Sequence, residues 1–453
     1  MPTDDTDLDL LVLGAGMAGT NAALKSARAS WRTAIVDPLP YGGTCALRGC
    51  DPKKILRRGA EIIAAAEMMH GKGIDPGTLA IDWAALMRHK ERFTDPVPGQ
   101  LERELKHNGV ETLHGVARFT GPNTLDIDGR ITTARRILIA TGARPRKLSF
   151  PGNEHVIDST AFLQLERLPR RILFIGGGLV SFEFAHIAAR ANSQTIIIEH
   201  GLRPLKRFDP DLVDILLKAG SAVGIDVRTS TDVRSLEPHN DGIRAVIEHA
   251  GVAESVEVDL VVHGAGREAD LEQLDLTAAG IASSPRGVTV HAHLQSTTNP
   301  DVFAAGDAAD TAGMPLTPVA VAEGKVAISN MLKSTTTSPD YAGIPAAVFT
   351  IPELVRVGMQ EHEARQRGLD LDIRCTDTSG WYSNYRIGAT HGAAKVLVDR
   401  ATDQIVGAHL LGHGYAELIN TFGIAIKLNI PARQLRSTIA AYPTVGSDLG
   451  SLL

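Results

Sequence analysis

Cysteine is scarce in this sequence, with three in 453 residues. So few cysteines exclude a disulfide-stapled secreted scaffold and favour a reducing compartment. No apolar run reaches the ~18 residues that a membrane-spanning helix needs. The acidic start, Met1 to Asp9, lacks the charged-then-apolar layout of a signal peptide. The sequence therefore predicts a soluble, cytoplasmic protein that does not associate with a membrane.

An excess of positive charge is also absent. The chain carries 46 Lys and Arg against 52 Asp and Glu, a net charge of -6. Without a basic surface for phosphate backbones, nucleic acid is not an expected partner. The remaining composition is ordinary for a globular protein, with 43% hydrophobic and 22% charged residues. At roughly 150 residues per domain, the length predicts about three domains.

One pattern occurs twice in the chain: an apolar strand, a glycine turn, a helix and a second strand that ends at an acidic residue. The first copy starts with Leu8 to Leu13, an apolar run typical of a buried parallel strand, and the second with Arg171 to Ile175. After the Ser/Thr-rich stretch Ser334 to Ser338, strand-like runs alternate with a helix and no such turn occurs. The predicted fold class is α/β, with two Rossmann-like domains and a C-terminal α+β domain.

The first glycine turn has the spacing of a dinucleotide-binding loop. Gly14 permits the tight turn, Gly16 lets the backbone approach a pyrophosphate, and Gly19 lets the helix pack on the strand. The N-terminus of that helix offers N–H groups to the phosphate. Asp37 ends the second strand, where an acid can bind ribose hydroxyls. Glycines alone often serve turns, but the complete strand–helix–strand context predicts a dinucleotide site.

The second glycine turn departs from this spacing, because Ser181 stands in the third position. Serine is small enough to preserve the packing, so Gly176 and Gly178 still indicate a nucleotide site. Glu199 at the strand end favours a free 2′-hydroxyl, and therefore NADH over NADPH. Three residues close by either receive a 2′-phosphate or form a solvated loop, and the sequence leaves this open: His200, Lys206 and Arg207.

Two of the cysteines, Cys45 and Cys50, lie close together in the chain. Such a pair can form a disulfide, bind zinc or be buried in a core. Structural zinc needs four ligands, and the other cysteine, Cys375, is distant in sequence, so no metal site is predicted. A regular helix would hold the two Cα atoms ~8–9 Å apart, whereas a disulfide tolerates no more than ~7 Å. A bridge therefore requires a distorted turn, which Gly49 can permit, and a strained, accessible bridge is easily reduced.

The segment from Gly42 to Lys54 resembles the redox-active signature of the pyridine nucleotide–disulfide oxidoreductases, among them glutathione reductase, dihydrolipoyl dehydrogenase and mercuric reductase. The resemblance covers nearly the whole chain, because five further segments are similar to motifs of this family, in the family's order: Ile139 to Ala143, Gly264 to Arg267, Ala304 to Asp307, Leu316 to Pro318 and Phe349 to Glu353. It implies that the chain binds FAD and a nicotinamide nucleotide and forms a homodimer. The implied domains are an FAD-binding domain (1–150 and 271–336), an NAD(P)-binding domain (151–270) and a dimerisation domain (343–453).

The resemblance also implies roles for individual residues. Cys50 would face the flavin as the charge-transfer thiol, and Cys45 would exchange with the substrate. Lys53 would lie near the flavin ring and pair with Glu183, which would offset the desolvation of the lysine. The implied FAD contacts are Gly14, Gly16, Met17, Ala18, Gly19, Asp37, Thr44, Ala117, Thr141, Gly142, Asp307 and Thr317, and the implied NAD(P) contacts are Gly176, Gly178, Glu183, Glu199 and Gly266.

The C-terminal region departs from the family's pattern at the catalytic histidine. Disulfide reductases of the family carry His-Pro followed by a glutamate, whereas this chain has Tyr442-Pro443 followed by Ser447. Tyrosine is a poorer proton shuttle than histidine near neutral pH, and acid–base help is typically worth ~10²- to 10⁴-fold. Whether Tyr442 or Asp448 takes over this role is open.

The leading interpretation is a FAD-dependent NAD(P)H:disulfide oxidoreductase of the glutathione reductase type. One alternative is an enzyme like dihydrolipoyl dehydrogenase or mercuric reductase, with a metal or quinone acceptor, since mercuric reductase also has a tyrosine in this region. Another is a flavin redox sensor with little turnover. An aromatic–basic cluster suits either a substrate pocket or an interface: Trp381, Tyr382, Tyr385 and Arg386. His409 and His413 have the spacing of a metal pair, but Gly412 between them and a strand-like setting argue against it.

Overall fold

The computed structural model describes residues 8–453, so the first seven residues of the acidic segment Met1 to Asp9 lie outside the described part. The chain divides into two compact units. The first comprises Met1–Lys54 (described from Leu8), His89–Arg146 and Arg267–Tyr341, and the second comprises Ile55–Arg88, Lys147–Gly266 and Ala342–Leu453. The boundaries of the three domains inferred from the sequence stay a prediction.

The α-helices range from one turn to five turns. Within residues 8–453, none is long and apolar enough to cross a membrane. In chain order they are α1 (Met17–Arg28), α2 (Cys50–Met68), α3 (Trp83–Thr94), α4 (Val97–His107), α5 (Ser159–Phe162), α6 (Leu179–Arg190), α7 (Pro210–Ser221), α8 (Thr317–Lys333), α9 (Glu361–Gln366), α10 (Tyr382–Tyr385), α11 (Tyr415–Lys427), α12 (Ala432–Arg436) and α13 (Leu449–Leu452).

The strands are mostly short and form several sheets. In chain order they are β1 (Leu8–Leu13), β2 (Thr33–Asp37), β3 (Val110–His114), β4 (Ala117–Phe119), β5 (Thr124–Ile127), β6 (Arg130–Ile139), β7 (Ala143–Pro145), β8 (Val156–Ile157), β9 (Arg171–Ile175), β10 (Gln194–Ile198), β11 (Ile225–Arg228), β12 (Thr231–His239), β13 (Gly242–His249), β14 (Val252–Val258), β15 (Leu260–His263), β16 (Arg267–Ala269), β17 (Ser283–Ser284), β18 (Gly287–Thr289), β19 (Val302–Ala304), β20 (Ala309–Asp310), β21 (Ala346–Val348), β22 (Glu353–Gly358), β23 (Leu371–Asp377), β24 (Ala393–Asp399) and β25 (Gln404–Gly412).

The main sheet of the first unit is built around β1. Its order is β3-β2-β1-β6-β5-β4, with β19 also paired to β6, and β1 runs parallel to both β2 and β6. Every residue of β1 except Asp9 is buried, as a central parallel strand requires. The predicted strand Leu8 to Leu13 is therefore confirmed, and α1 follows the glycine turn as expected.

The second unit repeats this arrangement with a parallel sheet of order β11-β10-β9-β15-β8. Strand β9 has the predicted bounds, α6 follows the second glycine turn, and β10 returns in parallel beside β9. Strand β10 runs from Gln194 to Ile198 and ends immediately before the acidic Glu199, as expected. An antiparallel sheet, β12-β13-β14, belongs to the same unit. The duplication inferred from the sequence is confirmed.

The C-terminal part of the second unit is an antiparallel sheet of order β21-β22-β25-β24-β23. Helix α11 packs on it, and Leu418, Ile419 and Phe422 join the apolar side chains of the strands in one core. This confirms the predicted α+β character of the C-terminal region. Every residue of β24 is buried, including the cationic Lys395.

Candidate active site

The first glycine turn is closely surrounded by backbone. Gly14 has φ +104°, and a Cβ there would lie 2.4 Å from the carbonyl oxygen of Ala140. A Cβ on Gly19 would lie 2.0 Å from the carbonyl oxygen of Gly14, so α1 can pack this closely on β1 only through glycine. The turn therefore brings the N-terminus of α1 to the end of β1, where a phosphate can be bound.

Gly16 immediately precedes α1, and the start of the cysteine segment lies next to it. A Cβ on Gly43, where φ is +62°, would lie 2.6 Å from the Cα atom of Gly16. The first turn of α1 begins at Met17 and continues through Ala18. Because the residue before it, Gly16, has no side chain, the N–H groups of this turn are not capped from that position. The N–H groups of this turn and the positive end of the helix dipole are suited to a pyrophosphate.

Asp37 closes the same turn from the end of β2. Its Oδ2 atom accepts a hydrogen bond from the N–H of Ala15, and its Oδ1 atom accepts one from the N–H of Leu39, both at 2.8 Å. Asp37 is buried. Each carboxylate oxygen has a second lone pair, so the residue can hold the turn and still accept a ribose hydroxyl.

Glu199 has the equivalent arrangement in the second unit. Its Oε2 atom accepts from the N–H of Gly177 and its Oε1 atom from the N–H of Gly201, both at 2.8 Å. The ammonium of Lys206 lies 3.3 Å from Oε1. Burial alone would raise the pKa of Glu199, but these hydrogen bonds and Lys206 lower it below its ordinary value. Glu199 is therefore an ionised, buried carboxylate.

The second glycine turn tolerates serine in its third position because a neighbouring glycine makes room. Ser181 is fully buried, and a Cβ on Gly264 would lie 1.9 Å from the Ser181 hydroxyl oxygen. Gly176 has φ +98°, and a Cβ there would lie 2.5 Å from the carbonyl oxygen of Gly264. Gly178 leads into α6 in an extended conformation. The turn thus keeps the close helix–strand packing of the first copy.

Two residues of the first unit, Thr141 and Asp307, carry polar groups that suit a polar ligand. The Thr141 hydroxyl is buried and has no hydrogen-bond partner among the described residues. Thr141 lies against the first glycine turn, since its Cα would be 2.9 Å from a Cβ on Gly14. Burial raises the pKa of Asp307, and Arg267 opposes this shift. Because an unpaired buried polar group is costly, the Thr141 hydroxyl fits a bound FAD, and the half-buried Asp307 supplies a carboxylate that can accept a hydrogen bond.

The remaining predicted cofactor contacts lie at turns and strand ends. Ala117 is buried in β4, and Gly142 follows β6 with φ +74°. Gly266 follows β15 with φ +100°. All predicted FAD contacts belong to the first unit, together with Cys45, Cys50 and Lys53, whereas all predicted NAD(P) contacts belong to the second.

The chain between the two cysteines of the pair does not form a regular α-helix. Thr44–Arg48 form a π-helical turn, Gly49 breaks it with φ -150° and ψ -104°, and α2 begins at Cys50. A Cβ on Gly49 would lie 2.9 Å from the carbonyl oxygen of Thr44. The distorted turn that the sequence indicated for a bridging pair is therefore present, and glycine permits its close approach.

The two thiols are free in this structure, and a hydrogen bond joins their sulfur atoms. This bond, followed by burial, raises the pKa of Cys45 far above its ordinary value. The same bond lowers the pKa of Cys50 to about 6, helped by Thr317, Lys54 and Lys53. The Thr317 hydroxyl lies 3.7 Å from the Cys50 sulfur, and Cys50 also starts α2, where the helix dipole favours a thiolate. Cys50 is therefore the thiolate of the pair, and Cys45 keeps the proton.

The predicted ion pair of Lys53 and Glu183 joins residues of different units. Lys53 lies one turn after Cys50 in α2 and is buried. Glu183 is buried in α6, and its Oε1 atom accepts a hydrogen bond from the N–H of Phe349 at 3.0 Å. The pairing itself stays a prediction.

Tyr442, which replaces the family's histidine, is 79% exposed. Asp448, the other candidate for the acid–base role, accepts a hydrogen bond from the hydroxyl of Ser383 at the start of α10. Tyr382 and Tyr385 of this helix are also exposed. This hydrogen bond joins the turn that contains Asp448 to α10 of the aromatic cluster. The Asp448 carboxylate therefore already has a hydrogen-bond partner.

Sequence reasoning did not identify Glu323 in α8, which contacts the turn that carries the predicted FAD contact Asp307. It is buried and accepts hydrogen bonds from the N–H of Gly306 at 2.7 Å, from the hydroxyl of Thr311 at 2.8 Å and from the hydroxyl of Tyr341 at 2.7 Å. The first of these bonds holds Gly306, which precedes Asp307. Its position shortly after the Leu316-Thr317-Pro318 motif is the only signal that the sequence contained.

The part of the chain that the structure describes contains no cluster of metal-binding side chains. No group of three or more His, Cys, Asp or Glu side chains is arranged there to hold an ion. Burial lowers the pKa of both His409 and His413 to about 4. The Nε2 atom of His409 lies 3.0 Å from the carbonyl oxygen of Met359, to which it can donate.

Comparison with known proteins gives matches over both units. The model of the pyridine nucleotide-disulphide oxidoreductases matches residues 8–324, and the model of that family's dimerisation domain matches residues 344–452. The chain is 29% identical to the glutathione reductase of Burkholderia cepacia, covering 98% of each chain. It is 32% identical to the dihydrolipoyl dehydrogenase of Thermus scotoductus, covering 97% of this chain and 95% of the relative.

Solved structures similar to this chain include an Escherichia coli protein, the HOCl-induced flavoprotein disulfide reductase RclA. The two structures agree with a TM-score of 0.88 at 27% identity, covering 98% of this chain and 99% of RclA. The Cu(II) complex of RclA matches equally well, with the same TM-score, identity and coverage.

Proposed function

The chain belongs to the pyridine nucleotide-disulphide oxidoreductases, and on this premise we propose that it passes electrons from NADH through FAD to Cys45 and Cys50 and from there to an acceptor. As a member of this family it is a FAD-dependent enzyme of the glutathione reductase-like, flavoprotein disulfide reductase type. The observation that carries the proposed electron path is the cysteine pair itself, with its distorted turn, its shared hydrogen bond and the opposite pKa shifts of its thiols.

The residues of the first unit fit the FAD that the family implies. The glycine turn and the start of α1 would bind the pyrophosphate, Asp37 the ribose, and Thr141 and Asp307 the more central part of the cofactor. Bound FAD would supply two-electron transfer between the nicotinamide and the cysteine pair. The protein's own contribution is to hold the pair beside the cofactor and to stabilise the charge that reduction creates.

Reduction of a Cys45–Cys50 disulfide takes two electrons and one proton and leaves one thiolate and one thiol. The hydrogen bond between the sulfurs and the two lysines favour the charge on Cys50 and the proton on Cys45. Lys53, buried one turn along α2, would also stabilise negative charge on the flavin side, with Glu183 as its counter-ion. Cys50 would therefore be the thiol facing the flavin.

Transfer to a disulfide acceptor then requires Cys45 to lose its proton before its sulfur attacks. In a homodimer formed through the dimerisation domain, Tyr442 is our candidate for this proton transfer. Its exposure supports a role at an interface or at the substrate. Because tyrosine is a weaker base than histidine at neutral pH, we expect slow turnover with ordinary disulfides.

NADH is the proposed donor. The ionised, buried Glu199 can accept hydrogen bonds from both ribose hydroxyls and disfavours a 2′-phosphate. The nearby Lys206 partly offsets this repulsion, so NADPH should still react at higher concentration. The low cysteine content supports a cytoplasmic location for such an enzyme.

A soft metal ion is the second candidate acceptor. Mercuric reductases of Bacillus cereus and Staphylococcus aureus are among the relatives, at 28% and 27% identity, and RclA has a Cu(II) complex. The specific feature of this chain that favours it is Tyr442, because a metal ion needs no acid–base residue to protonate a leaving thiol. In this reaction two Cu(II) ions would take one electron each, the pair would return to the disulfide, and its proton would be released.

The test is an anaerobic titration of the purified protein with NADH and, separately, with NADPH, while the flavin spectrum is recorded. We expect two-electron reduction to produce a long-wavelength absorption band in the wild type and no such band in Cys50→Ser. Bleaching of the flavin without this band would contradict the placement of Cys50. Adding disulfides or Cu(II) to the reduced protein and following reoxidation then distinguishes the two acceptors.

A further inference from the structure

A row of polar side chains crosses the C-terminal sheet, with Arg356 half-buried and His409 and Lys395 buried. Arg356 of β22 is in register with His409 of β25, and His409 is in register with Lys395 of β24. His409 is fully buried and Lys395 is 3% exposed. Burying charged groups in an otherwise apolar sheet is costly unless they are paired, so the row needs partners outside the sheet.

Those partners lie in one stretch of the nucleotide-binding half of the unit, residues 199–211, here called the 199–211 segment. The Lys395 ammonium lies 2.9 Å from Asp209 and 2.5 Å from Asp211. The Arg356 guanidinium donates to the carbonyl oxygen of Arg207. Glu361 of α9 completes the surroundings of Lys395 at 3.4 Å. The sheet therefore holds the end of this segment at several points.

The beginning of the same segment forms part of the candidate nucleotide site. Glu199 receives hydrogen bonds from the second glycine turn, and Lys206 lies 3.3 Å from its carboxylate. The N–H of Leu205 donates to the carbonyl oxygen of Gly177 at 2.8 Å. The 199–211 segment is thus fixed to the glycine turn on one side and to Arg356 and Lys395 on the other.

We propose that Arg356 and Lys395 are positioning residues for the nicotinamide nucleotide, because they hold the 199–211 segment so that Glu199 and Lys206 face the ribose. This inference rests on the proposed nucleotide site of the second unit. The two residues touch neither nucleotide nor flavin in this scheme and act through the segment. His409 stands between them as a neutral side chain, since burial keeps its pKa near 4, and it adds no third positive charge.

The test is equilibrium binding of NAD⁺ and NADP⁺ to the oxidised holoenzyme by isothermal titration calorimetry. We compare wild type, Lys395→Met, Arg356→Gln and the conservative Lys395→Arg. Couplings between linked sites are typically ~5- to 150-fold, so we expect roughly tenfold weaker NAD⁺ binding in Lys395→Met and Arg356→Gln. Lys395→Arg should restore binding to within about threefold of wild type. FAD content and the thiol titration of the cysteine pair should stay unchanged in every variant.

Arg374→Gln is the matched control, because Arg374 lies in the neighbouring β23 of the same sheet and pairs with Asp372 of its own strand. It should bind NAD⁺ like the wild type. If Lys395→Met and Arg356→Gln keep both their FAD and their NAD⁺ affinity, the positioning role is overturned. If Lys395→Met does not fold, Arg356→Gln decides by the same criterion. A wild type that binds neither nucleotide would instead contradict the proposed function, so the two failures are distinguishable.

Discussion

The sulfur atoms of Cys45 and Cys50 share a hydrogen bond that places the proton on Cys45 and the charge on Cys50. The asymmetry has a structural cause. Burial raises the pKa of both thiols and Thr317 lowers it, but Cys50 begins α2 and is also influenced by Lys53 and Lys54, whereas Cys45 lies within the π-helical turn. The reduced pair therefore has one nucleophile that is ready at neutral pH and one that must first lose a proton.

Replacing Cys45 with alanine should raise the pKa of Cys50, because the largest contribution to its low value is removed. In the reduced wild type, alkylation of Cys50 should increase as the pH passes through about 6 and level off above it. In Cys45→Ala the increase should move toward the ordinary thiol range of ~8.5. Mass spectrometry after alkylation across a pH series measures both. Cys375→Ala is the control, and identical profiles for wild type and Cys45→Ala would contradict the shared hydrogen bond.

Alanine at Gly49 should disrupt the turn between the cysteines. The new Cβ would lie 2.9 Å from the carbonyl oxygen of Thr44, so the turn must open. We expect the rate of NADH-dependent reduction of the cysteine pair to fall at least tenfold, with FAD still bound. Gly380→Ala is a fair comparison, because a Cβ there has nothing within 4 Å. Equal effects of the two substitutions would count against the role of the turn.

Thr141→Val should separate FAD binding from protein stability. The Thr141 hydroxyl is buried and finds no partner within residues 8–453, so its removal should stabilise the FAD-free protein by about 1 kcal/mol while weakening FAD binding by roughly five- to tenfold. Chemical denaturation of apoprotein and fluorescence titration with FAD measure the two effects. Thr195→Val, which removes a second buried, unpartnered hydroxyl in β10, should stabilise without affecting FAD. Unchanged FAD affinity in Thr141→Val would exclude its contact with the cofactor.

Tyr442→His should increase disulfide turnover, because histidine is a better proton shuttle near neutral pH than the tyrosine it replaces. Acid–base help is typically worth ~10²-fold or more, and we expect at least a tenfold rise in kcat with a small disulfide. The rate of Cu(II) reduction should not change. Tyr382→His, at another exposed tyrosine, serves as the comparison. If Tyr442→His leaves disulfide turnover as it was, Tyr442 does not occupy the histidine's position.

Much of the fold could be predicted because its signals are local. Strand β1 and the two glycine turns lie where the apolar runs and glycines indicated, and helix α11 (Tyr415–Lys427) lies in the C-terminal region where a helix was expected. The ends of helices and strands can be predicted only to within a residue or two, because fraying and capping depend on neighbouring parts of the structure. The need for a distorted turn between Cys45 and Cys50 also followed from geometry alone.

By itself, the sequence determined the duplicated strand–turn–helix units, the family and the candidate cysteine pair, because spacing and side-chain size act over a few residues. Only the tertiary structure decided what surrounds the pair, since the Thr317 hydroxyl reaches Cys50 from 267 positions away. The same holds for the hydrogen bond between Gly306 and Glu323 and for the ion pair of Lys395 and Asp209. Hydrogen bonds and charge interactions depend on distance through space, and spacing along the chain does not reveal which distant residues the fold brings together.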